Sequence, residues 1–339
     1  MHVTIKDVAK MAGVAPSTVS RVIADSPKIS DGTKRIVEKA MKELNYQPNI
    51  IARSLANRKT YTLGLILPAK SEEIFDNPFF IQAMRGLSQY AQKKGYYIMY
   101  NYCHSMEEEL KTAETFIRSK WVDGIILLAS RFEDPCVNYL MEDNHQVVVI
   151  GRPEEYKDKA LWVDNDNVLA MYEVVVSLIN DGHQKIAFFG GEQQFTVNRL
   201  RLKGYKNALE DNGIQFDENL VFENNPTEVE AQNSMKILLE TGKPDALVGT
   251  DDTIAYGAYQ GALDEGFTDI AIVGFNNTPM AHYKSPNLST VDINAELLGS
   301  EAARLLISRI EKEELDSNYS IVGSDFIERE STKKYKRTK

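Results

Sequence analysis

From residue 62 onward, short apolar runs alternate with longer stretches whose apolar positions recur every three to four residues. Runs at 62–67, 96–100, 124–128 and 147–150 read as buried strands, and the stretches 79–93, 106–119 and 135–142 between them read as amphipathic helices. The alternation restarts with a strand at 185–189, helices at 198–212 and 228–240, a strand at 246–248, a helix at 253–265 and a strand at 270–273. Strands alternating with helices predict an α/β class in which helices cover both faces of a parallel sheet, and the restart predicts two such lobes. The first 45 residues differ, because they carry helical spacing alone. Ile5, Val8, Ala9 and Met11 or Ala12 mark one face of a first helix, and Val19, Val22 and Ile23 mark the inner face of a second. Ile36, Val37, Ala40, Met41 and Leu44 mark a third helix over about 31–44.

The ends of these short helices are written in the sequence. The Thr4 hydroxyl can accept from an exposed first-turn amide, Asp7 suits the positive helix end, and Gly13 supplies the freedom needed for a turn. Pro16 opens the second helix at the position where a missing N–H costs nothing. Pro16, Ser17, Ser20 and Arg21 are then left on its outer side, where the recognition helix of a helix-turn-helix presents its base-reading side chains. Any small three-helix bundle would share the apolar pattern, and charge separates the two readings. Residues 1–60 hold 11 Lys and Arg against 5 Asp and Glu, or +6, whereas the other 279 residues hold 28 against 44, or -16. A basic head on an acidic body is drawn to a polyanion through one end only.

The segments Thr4-Ile5-Lys6-Asp7-Val8-Ala9, Gly13-Val14, Ser17-Thr18-Val19-Ser20-Arg21-Val22 and Leu44-Asn45-Tyr46-Gln47-Pro48-Asn49 closely resemble the lactose and galactose repressor (LacI/GalR) family, and the resemblance runs through the whole chain. It implies a helix-turn-helix DNA-binding head at 1–47, a hinge helix and linker at 48–60, a two-lobed body at 61–330 of periplasmic-binding-protein type with doubly wound parallel sheets, and a basic tail at 331–339. It implies that residues matching Pro16, Ser17 and Arg21 meet base edges, Arg21 reading a guanine with both arms of its guanidinium. Those matching Thr4, Thr18, Ser20, Thr33 and Asn49 meet the DNA backbone. Two positions depart from the family pattern: Ala15 replaces a capping Ser and Ala24 replaces a frequent Asn, each removing a polar contact. The hinge, too short for a stable isolated helix, is expected to fold only against DNA and a partner copy. Ala52 and Leu55 lie three apart on one face, and the residue matching Leu55 wedges into the minor groove at the operator centre. A plain linker whose apolar residues pack on the body fits the same composition. Leu55→Ala is expected to weaken specific operator binding far more than nonspecific binding in a gel-shift comparison; equal losses would remove the wedge.

The resemblance further implies three crossings between lobes, near Val163, Asp292 and Ser320, with a helix over 295–310 returning to the first lobe. In open parallel sheets ligands sit outside the strand C-termini, so two facing lobes create a cleft lined by the loops after those strands. Those loops hold polar groups beside aromatics: Phe79, Arg152, Asp164, Phe195, Arg201, Asp251, Phe275 and Asn276. Carboxylate, amide and guanidinium groups suit saccharide hydroxyls, and rings suit the apolar sugar face. By the residue-wise match Arg201 and Asn276 hold effector hydroxyls, with Asp251 as a further acceptor or cleft-ordering group. The same charges also fit solvated loops or an interlobe ion pair, and the phenylalanines also fit a core. The head and the 274–278 segment are most similar to maltose and maltodextrin operon repressors of low-GC Gram-positive bacteria, which implies maltose or a maltodextrin as the effector.

Composition then excludes several classes. Hydrophobic residues at 43% and charged residues at 26% describe an ordered chain. No GxGxxG, Walker loop, HExxH or GxSxG is found, so an enzyme is not expected. His2, His104, His145, His183 and His282 are scattered without metal-ligand spacing, and Cys103 and Cys136 form no CxxC, so neither metal nor other cofactor is expected. The polar start and the lack of a long apolar run predict a cytoplasmic protein with no membrane partner. The expected partners are double-stranded operator DNA, a sugar effector and a second copy in a homodimer, since no added C-terminal heptad helix is evident. A sugar receptor without DNA binding, and a catabolite-control regulator whose corepressor is a phosphoprotein, remain as alternatives; the basic head speaks against the first.

Overall fold

The computed structural model describes residues 3–23, 26–47, 59–68, 77–223 and 227–333. The chain divides into two compact units, Met1–Thr60 and Tyr61–Lys339.

In the first unit three helices, α1 (Ile5–Ala12), α2 (Pro16–Ile23) and α3 (Asp31–Glu43), enclose a core of Val8, Ala9, Val19, Val22, Val37 and Ala40. Gly13 closes α1 at φ 66°, a left-handed angle that glycine adopts without a Cβ penalty, and the chain turns at once into α2. At the other end of α1 the Asp7 carboxylate accepts from the Thr4 amide at 2.8 Å and from its hydroxyl at 2.7 Å, so the cap runs through the acid as well as the hydroxyl. One expected core residue is outside: Ile36 is 54% exposed. The buried stripe of α3 is Val37, Ala40, Met41 and Leu44, and one residue back along a helix is a rotation of about 100°.

The body begins with β1 (Thr62–Leu67), α4 (Pro78–Lys93), β2 (Tyr97–Tyr102), α5 (Met106–Arg118), β3 (Gly124–Leu127), α6 (Pro135–Glu142), β4 (Val147–Ile150) and β5 (Leu161–Asn165). It then crosses into α7 (Asn167–Asn180), β6 (Ile186–Gly190), α8 (Thr196–Asp211), β7 (Val221–Glu223), α9 (Glu228–Thr241), β8 (Ala246–Gly249), α10 (Asp252–Asp264), β9 (Ala271–Phe275), α11 (Met280–Tyr283) and β10 (Ser289–Asp292). The chain returns in α12 (Ala295–Glu311) and β11 (Tyr319–Val322), and crosses once more into β12 (Asp325–Ile327) and α13 (Glu330–Lys333). The first sheet has the order β11-β5-β4-β3-β1-β2, the second β12-β10-β9-β8-β6-β7. Within the two sheets, every pairing among the described residues is parallel except β10 with β12. Helices cover both faces, which is why β3 and β4 are buried throughout and apolar at consecutive positions.

Helix α12 packs on α4 with backbones in near contact. A Cβ at Gly86 would lie 1.8 Å from the Glu296 carbonyl oxygen, and one at Gly299 would lie 1.9 Å from that of Ala83. This pair fastens the returning segment to the first lobe. The strand β5 and helix α7 are not legible in the periodicity: α7 carries consecutive β-branched Val174, Val175 and Val176, which read equally as a strand. Ser331 and Thr332, assigned above to the tail, belong instead to the body. The Ser331 hydroxyl donates to the Ile272 carbonyl at 2.6 Å, and Thr332 and Ser289 hydroxyls meet at 2.7 Å. Residues 334–339 lie outside the described residues.

Candidate functional site

In the head, burying Val19 and Val22 turns the opposite side of α2 outward. Pro16, Ser17, Ser20 and Arg21 are exposed there, Thr18 is half-buried at its edge, and Thr4 is exposed at the start of α1. Ser17, Ser20 and Arg21 stand three and four apart and so share one face. Ala15 contributes its carbonyl, which accepts from Thr18 at 2.9 Å and Val19 at 3.2 Å, but it has no capping hydroxyl. Thr33 is half-buried and engaged in the cap of α3, its hydroxyl 3.0 Å from that of Ser30. Asn49, Ala52, Leu55 and Ala24 lie outside the described residues.

In the body, the strand C-termini of the two sheets face one cavity of about 400 Å³, within the usual range for a small-molecule site. Pro68 follows β1, Leu128 to Ser130 follow β3, Gly151 follows β4, Asp164 and Asn165 end β5, Gly191 follows β6, Thr250 and Asp251 follow β8, and Asn276 follows β9. The apolar wall includes Phe79, Phe80, Ile150, Phe195 and Ile293. Phe79 and Phe80 meet edge to face at 5.0 Å, at the start of α4, where the Asn77 side chain accepts from the Phe79 amide at 3.0 Å.

The polar floor is one hydrogen-bonded chain spanning both lobes. The Asp164 carboxylate accepts from the amides of Arg152 at 3.0 Å and Asn165 at 2.8 Å, and from Asn167 Nδ2 at 2.8 Å. Asn167 Oδ1 in turn accepts from Arg201 Nε at 3.0 Å, and Arg201 Nη1 donates to the Thr250 carbonyl. The guanidinium is 4% exposed and lies 4.2 Å over the Phe275 ring. Burial lowers Arg201 to about 10, opposed by the charges of Asp164, Asp251 and Asp252, so it remains a cation at neutral pH. Burial raises Asp164 to about 6, against the N–H groups that favour its ionised form. Asp251 caps α10 by accepting from the Ile254 amide at 2.7 Å.

Six of the eight expected effector residues thus line one cavity: Phe79, Asp164, Phe195, Arg201, Asp251 and Asn276. Two do not. Phe275 is fully buried behind Arg201, as strand β9 turns its ring away from the cleft. The Arg152 side chain is exposed and stacks 5.7 Å over Trp162, so only its backbone serves the floor. Sequence reasoning missed Ser130, Asn165, Asn167 and Glu192, all of which line the cavity. Asn165 Nδ2 donates to the Ile293 carbonyl at 3.0 Å and the Val322 carbonyl at 2.9 Å, tying together all three crossing segments. The run Asp164-Asn165-Asp166-Asn167 at a crossing was the available signal.

Behind the cleft, Asp252 accepts from the Thr290 hydroxyl at 2.6 Å and from the Thr278 amide and hydroxyl at 2.7 and 2.8 Å, and burial raises it to about 7. Asp164 and Asp252 both sit above the ordinary 3.8, so the folded chain holds their protons more tightly than the unfolded chain does. Their contribution therefore lowers stability as pH rises from about 4 through 6 and 7. Between pH 5 and 8 the thermal midpoint of Asp252→Asn is expected to fall less than that of the parent in parallel calorimetric scans. An equal or steeper fall would show that Asp252 is not the titrating group.

Among the described residues no helix is long and apolar enough to cross a membrane, and no cluster of His, Cys, Asp and Glu could hold a metal ion. A helix-turn-helix head joined to a two-lobed, cleft-bearing body defines a class of ligand-controlled DNA-binding regulators. Residues 4–49 match the model for bacterial regulatory proteins of the lacI family, and residues 175–332 match that for a periplasmic binding protein-like domain. The chain is 36% identical to the HTH-type transcriptional regulator MalR of Streptococcus pneumoniae over 315 residues, covering 91% of this chain and 93% of the relative. The solved transcriptional regulator CelR–cellobiose complex superposes with a TM-score of 0.76 at 30% identity, covering 97% of this chain and 100% of that one. The lac repressor dimer bound to operator shares the fold, with a TM-score of 0.83 at 23% identity, over 98% of this chain and 99% of that one. The chain belongs to the lacI family of bacterial regulatory proteins and is a DNA-binding transcriptional regulator.

Proposed function

We propose that this regulator is a cytoplasmic homodimeric repressor whose operator affinity is set by a small sugar, maltose or a maltodextrin, bound between its lobes. Pro16, Ser17 and Arg21 read base edges, and Thr4, Thr18, Ser20, Thr33 and Asn49 hold the DNA backbone. Ala52 and Leu55, from the hinge at 48–60, occupy the central minor groove. The observation that carries the effector reading is the chain from Asp164 through Asn167 to Arg201, which spans the two lobes beside Phe79, Phe80 and Phe195. It offers forked polar groups to hydroxyls and rings to an apolar sugar face, with Asn276 and Asp251 as further polar partners. Arg152 serves through its amide, and Phe275 by supporting Arg201. The likeness to CelR, solved with a disaccharide, supports a sugar; the head and the 274–278 segment support the maltose series. Sugar binding acts on DNA only through its differential affinity for two arrangements of the lobes, which set the spacing of the paired hinges.

The test is fluorescence anisotropy of labelled promoter DNA with the full-length protein, titrated with maltose, maltotriose, cellobiose and glucose. A maltose-series sugar is expected to shift operator affinity by about tenfold or more, and the direction of the shift distinguishes inducer from corepressor. No shift with any of the four would remove the sugar reading.

A further inference from the structure

The cleft is bridged at one side by a short piece of interlobe sheet. Arg131, just after β3 of the first lobe, pairs antiparallel with Phe195, just before α8 of the second. The Phe132 amide donates to the Gln194 carbonyl at 3.1 Å, and the Thr196 amide donates to the Ser130 carbonyl at 3.0 Å. The Ser130 and Thr196 hydroxyls lie 3.2 Å apart, and the Ser130 hydroxyl also donates to the Arg152 carbonyl at 3.0 Å. Outside this pairing Arg199 meets Glu154 at 3.2 Å and covers the Phe132 ring.

The Arg131 side chain is an unusual occupant for such a loop, being 4% exposed. Glu109, from α5, takes both arms of its guanidinium at 2.7 and 2.9 Å, and Asp134, the cap of α6, lies 3.4 Å away. The cationic carbon stands 5.1 Å over the ring of Phe195, which lines the cavity, whereas Arg131 does not. Burying three charges is costly unless the geometry is held closely, so this loop is braced against its own lobe while its backbone grips the other. A cation behind an aromatic ring also restricts where that ring can sit.

We propose that Arg131 is a positioning residue for the effector: braced by Glu109 and Asp134, it holds the interlobe pairing and fixes the Phe195 ring against the ligand, so that lobe closure and ring placement are a single event. This rests on the reading of the cleft as a saccharide site. The variant Glu109→Gln/Arg131→Met removes the bidentate charged pair together, and Asp134, which loses its cation, keeps the hydrogen bonds from the amides of Cys136 at 2.9 Å and Val137 at 3.2 Å. The full-length variant is compared with the parent in two measurements.

The first is amide hydrogen exchange at Phe132 and Thr196 without ligand. Exchange about tenfold faster or more in the variant, with core strands β3 and β6 unchanged, is expected; unchanged protection at both amides overturns the proposal. The second is calorimetric affinity for maltose and maltotriose, in the parent background and in Phe195→Ala. The double variant is expected to weaken affinity about tenfold in the parent and to add little where Phe195 is absent. Equal losses in both backgrounds would mean that Arg131 does not act through Phe195, and would overturn the proposal. If the parent binds neither sugar, the maltose-series reading fails, and the exchange result alone decides whether Arg131 holds the pairing.

Discussion

Removing residues 1–60 is expected to abolish specific operator binding while saccharide binding to the remaining chain persists. The head has its own core of Val8, Val19, Val22 and Val37, and the chain divides into compact units at Thr60 and Tyr61, so the deletion cuts between cores. It removes the exposed face of Arg21, Ser17 and Ser20 together with the +6 region, leaving a body at -16 that repels phosphate. Specific DNA binding commonly exceeds nonspecific binding by about 10³-fold or more, and a loss of at least that size is expected in anisotropy with labelled promoter DNA. Calorimetry of the shortened chain with maltose should match the full-length protein. Retained promoter affinity would sink the assignment of the head. A milder version, Arg21→Ala, is expected to cost about 1–3 kcal/mol in the specific complex and to relax discrimination at one base.

The second large effect is expected at Arg201. Its guanidinium joins Asn167 to Thr250 and faces Asp164, Asp251 and Asp252 in a buried floor. Arg201→Met leaves those carboxylates without their cation, and breaking a buried charge pair in this way costs about 3–5 kcal/mol. Saccharide affinity should fall by at least two orders of magnitude by calorimetry, and operator binding should stop responding to sugar while remaining specific. Arg201→Lys keeps the charge but not the planar fork, and is expected to restore stability more than affinity. A variant that still responds to sugar with the parent's midpoint would place the effector elsewhere.

Much of this was legible beforehand, for physical reasons that differ by region. The head was read because its signals are local: Thr4 and Asp7 cap one helix, Gly13 and Pro16 shape the turn, and charge concentrates within 60 residues. The parallel sheets were read because strands buried on both faces are apolar at every position, as in Val147–Ile150. The shorter edge strands β7 and β12, of three residues each, carry too little pattern to register. In the cleft, the rule that loops after parallel strands line the site selected Arg201, Asp164 and Asn276, and all three line the cavity. It could not tell Phe275 from Phe79, because the direction of a side chain at a strand end depends on where the strand stops.

Local order, the two lobes and the division of charge were therefore determined by the sequence alone, since each follows from neighbours within a few turns of chain. Only the tertiary structure decided which loops meet. Asn165 joins three crossing segments separated by 128 and 157 residues, and Arg131 meets Phe195 across the lobes. Such pairings are set by how two sheets pack and close on one another, and no periodicity along the chain records that geometry.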